Sequence, residues 1–585
     1  MKVKQIPIFY ACDDNFVKYT IVSLKSMIDN ASKEYKYKVH VLNTNITEEM
    51  QEKLYALQNE NFEVVFVNVT DYLESIADRL PLRHYYSKTT YYRFFIPEMF
   101  PEYKKAIYID SDTIVLGDIS QLYNTDIGDC YIGGCVEQAM AQVDVYGTYA
   151  EQVVGVKRKE FFNAGLMLMN CDQFRENKVL DQFITLLGEY NFIVTQDEDY
   201  LNLICKDNVF WLDQKWNTEL TDGLRYSYGI KSAYILHYIM VNKPWRYHKC
   251  RGADIFWKYA KETSVYDELR AELDAYTDAE RKRDADSAEN LYQMAIDETN
   301  RPDGYLKRKQ HEAHEDRERI IEKIKEYEKA GRFSEDVETD PPGREIMPGE
   351  VDYLQKKLST KIMAKITFGM AEKFVQKLLD EKKMIVKEIK GIENLSSLKS
   401  GAILTCNHFN AYDSFAMELA YRASNQKKRK LFRVIREGNY TSFPGFYGKL
   451  MRSCNTLPLS SNPETMKEFV RGVLYHLENG HFVLVYPEQS MWWNYKKPKP
   501  LQKGAFYFAA KAKVPVVPSF ITMQDTDIMG EDGFPVQEYT IHIGEPIYPD
   551  AEKRVGQNTQ EMMDKNYQIW KEIYETVYGI ELKYE

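Results

Sequence analysis

Two stretches of this 585-residue chain place groups capable of chemistry at short spacing. In "CNHFNAYDSF" (406–415), His408 and Asp413 lie five positions apart, directly after the apolar run "AILT". A carboxylate that accepts from one imidazole nitrogen leaves the other nitrogen as a general base. The same pair also makes an ordinary hydrogen-bonded turn. In "KKAIYIDSDTIVLGDI", Asp110 and Asp112 flank Ser111 at the end of an apolar strand. Carboxylates at alternate positions there can converge on one hard cation, which neutralises a diphosphate. A bare D-x-D recurs by chance. Its placement matters because ligands of open α/β sheets bind beyond the carboxyl ends of the strands.

The elements around these groups suggest three regions. Residues 1–262 alternate amphipathic stretches with short apolar runs such as "IPIFYA", "YKVHVLN", "FEVVFVNV", "AIYID" and "AGLMLMN". That alternation predicts an α/β sheet. Residues 263–349 are highly charged with both signs mixed, as in "RKQHEAHEDRERIIEKIKEYEK", and read as a solvated helical linker. From 350 a second α/β pattern begins, with "AILTCN", "HFVLVYPE" and "VPVVPSFI" as buried strands. It opens on a helix with apolar residues at Leu354, Leu358, Ile362, Ile366, Met370, Phe374 and Leu378, and lysines between them. Such a helix either packs on its own domain or lies on an anionic membrane surface.

Composition narrows the function classes. A net charge of −11 argues against nucleic acid as a partner. Eight scattered cysteines without a C-x-x-C read as reduced structural thiols of a cytoplasmic protein, not a zinc site or disulfide framework. The start "MKVKQIPIFYACDDN" enters a strand-like run directly, without a cleavable leader, and no apolar run reaches spanning length. Any membrane contact is therefore expected to be peripheral, at the inner face of the plasma membrane.

Further motifs accompany the D-x-D. In chain order they are "FYACDDNF" (9–16), "TTYYRFFIPEMFP" with Arg93, "FFNAGLMLMN" with Asn163, "TQDEDYLN" with Asp197 and Glu198, and "LHYIMVNKPW" with His237 and Lys243. Together they resemble glycosyltransferase family 8, the retaining sugar-nucleotide transferases that include lipopolysaccharide galactosyltransferases. The resemblance implies a Rossmann-like GT-A fold, a UDP-sugar donor and Mn2+ or Mg2+. By matching position, Asp110, Asp112 and His237 would ligate the metal, and Asp13 and Asn15 would contact the nucleotide. Lys243 would face the diphosphate, while Arg93, Asn163 and Asp197 would line the donor sugar. Two departures stand out. Glu198 replaces a glutamine near the reacting face, where a carboxylate could stabilise an oxocarbenium-like transition state. Met240 replaces a glycine of the His-to-Lys loop.

The opening stretch also has company. "NTLPLSSN" (455–462), "VLVYPEQSMWWN" (483–494) and "VPVVPSF" follow it in order. This set resembles the glycerolipid acyltransferases, including lysophosphatidate acyltransferases. The resemblance implies His408 as base, Asp413 as its orienting carboxylate, Glu488 as the glutamate of the third motif, and acyl-CoA or acyl carrier protein as donor. Here too there are departures. Pro487-Glu488-Gln489-Ser490-Met491 stands in place of Pro-Glu-Gly-Thr-Arg, and Ser461 stands where an arginine ends the second motif. Those arginines grip the acceptor's phosphate in the family, and neither Met nor Ser can do so. Arg452 and Lys503 are candidate substitutes. Trp492, Trp493 and Tyr495 form either a sugar-stacking or interfacial surface or part of a core.

The combined expectation is an α/β chain: a GT-A domain (1–262), a charged helical linker (263–349) and a glycerolipid acyltransferase-like domain (350–585). The expected function is bifunctional transfer in bacterial glycolipid or surface-glycan biosynthesis, with a lipid or glycan acceptor. The alternative is a glycosyltransferase whose C-terminal domain only binds lipid and docks it on the membrane.

Overall fold

The computed structural model describes residues 4–75, 89–339, 343–443 and 445–584. Pro341 and Pro342, in the proline-rich end of the charged segment, lie outside the described residues. The chain divides into two compact units, Met1–Arg308 and Lys309–Glu585.

The first unit is built on strands β1 (Gln5–Ala11), β2 (Lys36–Asn43), β3 (Phe62–Asn68), β4 (Lys105–Ile109), β5 (Thr113–Val115), β6 (Ile132–Gly134), β7 (Leu166–Asn170), β8 (Val209–Trp211), β9 (Thr218–Glu219) and β10 (Ile235–His237). The main sheet runs β3-β2-β1-β4-β7-β6-β8, and β5-β10-β9 form a smaller one. Strands β3, β2, β1 and β4 are parallel, and β7 runs antiparallel to β4. Strand order therefore turns back between β1 and β4. At such a switch point two strand ends splay apart and leave a crevice. Both faces of the sheet are covered: Ile8 and Tyr10 enter one core while Phe9 enters the other. Burial on both sides explains why the strand runs read as continuously apolar.

The second unit carries β11 (Ile385–Lys390), β12 (Ala402–Thr405), β13 (Leu431–Ile435), β14 (Thr456–Pro458), β15 (Phe482–Val485), β16 (Val516–Met529) and β17 (Pro535–Ile543). Their order is β11-β17-β16-β12-β15-β13-β14. The run β16-β12-β15-β13-β14 is parallel, so four strand ends, those of β12, β15, β13 and β14, open on one edge. Again alternate residues divide between two cores, Phe482 and Leu484 against Val483.

The charged segment is helical but not wholly solvated. Helix Asp278–Asn300 starts with a capping box, Thr277 with Glu280, and buries Ala295 and Glu298 in the first unit. Glu298 accepts from the Tyr190 hydroxyl at 2.8 Å. In the second unit, Ile320, Ile324 and Val337 bury against Trp492. A few apolar positions at helical spacing suffice to hold such helices, and they are easily masked by surrounding charge.

Helix Leu358–Asp380 departs from the expected stripe. Its buried residues are Ala364, Thr367, Val375 and Leu378, whereas Leu358, Ile362, Met363 and Ile366 are exposed. The reason is geometric. A repeat of four on a helix of 3.6 residues per turn drifts by about 40° each step, so the 358-to-378 row winds halfway round the helix. Its C-terminal end packs inward and its N-terminal end faces out.

Candidate active sites

In the first unit the D-x-D lies just beyond β4, at the switch point. Asp110 and Asp112 each commit one oxygen to the protein. Asp110 Oδ1 accepts from the Tyr108 hydroxyl (2.9 Å) and from Arg93 Nη2 (3.2 Å). Asp112 Oδ2 accepts from Lys243 Nζ at 2.5 Å. The other oxygens approach His237: its Nε2 is 3.2 Å from Asp112 Oδ1 and 3.9 Å from Asp110 Oδ2. Burial alone would raise the Asp112 carboxyl, yet Lys243 and His237 hold it well below the usual range, as a carboxylate.

A chain of hydrogen bonds fixes which His237 nitrogen faces this cluster. The Gly165 backbone N–H donates to Asn163 Oδ1 (3.0 Å), which identifies that atom as the amide oxygen. Asn217 Nδ2 donates to the same oxygen (2.8 Å), so Asn217 Oδ1 is the atom 3.0 Å from His237 Nδ1. Nδ1 therefore carries a proton, and Nε2 is the nitrogen that faces the two carboxylates. The three ligand atoms lie within 4.8 Å of one another, close enough for one cation to reach all of them. Residue 165 must be glycine here: a Cβ would sit 2.3 Å from His237 Cε1 and 2.7 Å from Asp110 Oδ2. The donor set fits a divalent metal.

Arg93, Asn163, Lys243 and Asp197 connect to this centre through direct contacts or through one another. Arg93 is buried and donates to the Ala164 carbonyl (2.5 Å), and its Nε lies 3.2 Å from Asp197. Burial, opposed by Arg93, raises the Asp197 carboxyl to about 6. Glu198 accepts from the Ala164 N–H at 2.6 Å. Burial and then the nearby Glu137 push Glu198 well above the carboxylate range. A neutral carboxylic acid offers one donor and one acceptor, as a glutamine amide does. The surroundings of Glu198 thus disfavour a negative charge there. Asn163 also donates to Glu137 (2.5 Å), so its amide is engaged within the protein. Asp13 follows β1 and accepts from the Asn15 and Phe16 N–H groups, while Asn15 is exposed on that turn. Asn217 and Glu137 belong to this site too, although no local motif marks them.

In the second unit His408 follows β12 and Glu488 follows β15, both on the open edge. His408 Nδ1 is 2.6 Å from Asp413 Oδ2, so the donated proton leaves Nε2 as the basic atom. Asp413 opens helix Asp413–Ala423, where the helix dipole favours negative charge, and the Phe409 N–H also donates to it. The Tyr486 ring stacks on His408 at 4.3 Å. Glu488 is buried and ties the loops together, accepting from the backbone N–H groups of His408 (3.0 Å) and Lys499 (2.8 Å). Burial raises the Glu488 carboxyl and lowers the Lys499 ammonium to about 8, while their mutual attraction opposes both shifts. His408 and Asp413 line a cavity of about 830 Å³ whose walls include Phe368, Val375, Leu379, Leu450, Phe469 and Phe508.

The departures from the motifs are accommodated differently. Met240 and Gln489, at positions where glycine is usual, both adopt left-handed backbone at φ 58° and φ 72°. Left-handed backbone at a non-glycine residue costs about 1 kcal/mol or more. Ser461 donates to Glu437, and Ser460 donates to the same carboxylate. An acidic group thus stands beside the position of the missing arginine. Arg452 donates to the Tyr440 and Phe443 carbonyls and does not line the cavity; neither does Lys503. Trp492 is fully buried against Phe333, so it is core and not a surface platform.

Comparison with known proteins agrees with both halves. The family model for glycosyl transferase family 8 matches residues 7–249, and an acyltransferase model matches residues 387–522. A putative glycosyltransferase of Haemophilus influenzae is 29% identical over 218 residues, which is 37% of this chain and 64% of that one. General stress protein A of Bacillus subtilis is 25% identical over 271 residues, covering 42% of this chain and 89% of the relative. Glycosyltransferase GlyE of Streptococcus pneumoniae is 25% identical over 273 residues, covering 43% of this chain and 60% of the relative. The chain thus spans less than two thirds of the first and third of these relatives. Among the described residues no helix is long and apolar enough to cross a membrane. The chain joins a family 8 glycosyltransferase domain to an acyltransferase domain.

Proposed function

We propose that the chain is a bifunctional transferase of bacterial glycolipid or surface-glycan biosynthesis. The supporting observation is that each unit gathers a cluster of candidate residues at strand ends: Asp110, Asp112 and His237 in one, His408 and Asp413 in the other.

In the first domain a hexose would move from a UDP-sugar with retention of configuration. Asp110, Asp112 and His237 would hold Mn2+ or Mg2+, which would supply charge neutralisation for the diphosphate. Lys243 would add positive charge as the glycosidic bond breaks. Asp13 and Asn15 would meet the nucleotide, while Arg93, Asn163 and Asp197 would shape the donor-sugar end. Glu198 would act as a neutral hydrogen-bonding group.

In the second domain His408 Nε2 would take the proton of an acceptor hydroxyl, and that oxygen would attack the thioester of acyl-CoA or acyl carrier protein. Asp413 would hold Nδ1–H and stabilise the imidazolium, which returns its proton to the departing thiolate. Glu488 would hold the loop that carries His408. The apolar cavity suits a fatty acyl chain. Residues 1–262, 263–349 and 350–585 would serve as sugar-transfer domain, connecting segment and acyl-transfer domain. The exposed Leu358, Ile362, Met363 and Ile366, beside lysines, favour peripheral contact with a membrane. Release of UDP from a panel of UDP-hexoses, and of thiol from acyl-CoA, tests the two halves separately. Absence of either release with every donor and acceptor class would remove that half.

A further inference from the structure

The cavity beside His408 holds an unexpected charge arrangement. Its lining includes three arginines, Arg422, Arg433 and Arg436, and no lysine. All three are ion-paired. Arg422 contacts Glu372 and Glu418, and Arg433 contacts Glu418. Arg436 directly follows β13 on the open edge and grips Asp336 with both terminal nitrogens, at 2.6 and 2.8 Å. It also donates to the Gln489 carbonyl at 2.9 Å, on the loop that bears Glu488. A guanidinium held bidentately by one carboxylate has its planar fork already filled.

Asp336 is held in place by its own segment. The Trp492 indole donates to the Glu335 carbonyl at 2.9 Å, and the Ser490 hydroxyl donates to the Phe333 carbonyl at 2.6 Å. The Phe333 ring stacks on buried Trp492 at 5.6 Å. Ser334, Asp336 and Glu338 consequently line the same cavity as His408. Carboxylates outnumber arginines in that lining, since Asp336, Glu338, Glu372, Asp413 and Glu418 all contribute. A phosphomonoester entering here would meet like charge and an arginine already occupied.

We infer that Asp336 sets the acceptor class of this site: by occupying Arg436 it excludes phosphomonoester acceptors and leaves an uncharged hydroxyl compound as the one acylated. This rests on the acyl-transfer reading above and deepens it. The segment around Asp336 thereby becomes part of the acceptor site.

The test uses the full chain and two acceptors, a monoacylglycerol and lysophosphatidate, with glycerol 3-phosphate as a binding probe. The wild type should acylate the neutral acceptor with at least tenfold higher kcat/KM and bind glycerol 3-phosphate weakly. Asp336→Asn, which keeps the shape and removes the charge, should tighten glycerol 3-phosphate about tenfold and narrow the acceptor ratio by a similar factor. Adding Arg436→Gln to Asp336→Asn should erase both gains. Arg436→Gln alone should leave glycerol 3-phosphate binding as weak as in the wild type. The inference fails if the wild type prefers lysophosphatidate, if Asp336→Asn leaves both quantities unchanged, or if Arg436→Gln alone weakens the probe tenfold. If no variant transfers an acyl group to any acceptor, the acyl-transfer reading fails, while the binding measurements still decide the role of Asp336. If Asp336→Asn does not fold, the single Arg436→Gln variant decides it.

Discussion

Replacing Asn217 by leucine tests the hydrogen-bond chain that aims His237. Leucine keeps the branching of the fully buried asparagine, with bulkier methyl ends, but removes its donor to Asn163 Oδ1 and its acceptor for His237 Nδ1. Two buried hydrogen bonds are lost, and the Nδ1–H is left without its partner. Each such loss costs about 1–3 kcal/mol, so the two together should destabilise the first domain by roughly 2–6 kcal/mol. The imidazole also loses what fixes its tautomer. Loss of such an outer partner typically weakens metal affinity ~10–100-fold, or about 1.4–2.7 kcal/mol. Titration calorimetry with Mn2+, well below the melting temperature, reads the second effect separately from the first. Thermal unfolding without metal reads the first. Unchanged Mn2+ affinity in a folded Asn217→Leu protein would refute the reasoning, because His237 would then need no help to present Nε2, or would not be a ligand at all.

Other consequences can be checked with single measurements. Glu198→Gln should keep sugar transfer within a few-fold of wild type, because a neutral acid and an amide both carry a donor and an acceptor; a loss of 100-fold or more in kcat would mean that a negative charge is needed there. Asp197, with its carboxyl raised to about 6, holds a proton in the folded state that the unfolded chain releases near pH 4. Folding therefore binds extra proton between those values, and stability falls as pH rises across that window, by about 3 kcal/mol from this group. Asp197→Asn should flatten that part of the urea-unfolding profile, and an unchanged slope would assign it elsewhere. Ile362→Glu with Ile366→Glu should lower partitioning onto phosphatidylglycerol vesicles at least ~100-fold, since each isoleucine is worth about 1.5–3 kcal/mol on burial. Binding equal to wild type would exclude this helix as the contact.

What could be read from the sequence differed by residue. Asp110 and Asp112 were legible because alternate carboxylates at a strand end are a local pattern, and His408 with Asp413 for the same reason. Asn217 was not, because its role comes from a side-chain chain that closes only in three dimensions, through Asn163 and His237. Asp336 was hidden for a different reason: it sits in a segment where charges of both signs obscure the few residues, such as Phe333 and Val337, that anchor it. Periodicity located the helix at 358–380 but not its inward face, because a strict repeat of four does not stay on one side. Met240 and Gln489 stand at positions where glycine is usual. Both adopt left-handed backbone, a local strain that sequence patterns do not display.

The central claim is that one chain performs two independent transfers. Its most direct test compares the full-length wild type with Asp110→Ala/Asp112→Ala and with His408→Ala, each supplied with a UDP-hexose, Mn2+, acyl-CoA and a monoacylglycerol acceptor. Mass spectrometry of the products should show that the aspartate variant loses sugar transfer and keeps acyl transfer, and that the histidine variant does the reverse. Acyl transfer at the wild-type rate by His408→Ala, or sugar transfer at the wild-type rate without both aspartates, would contradict the account.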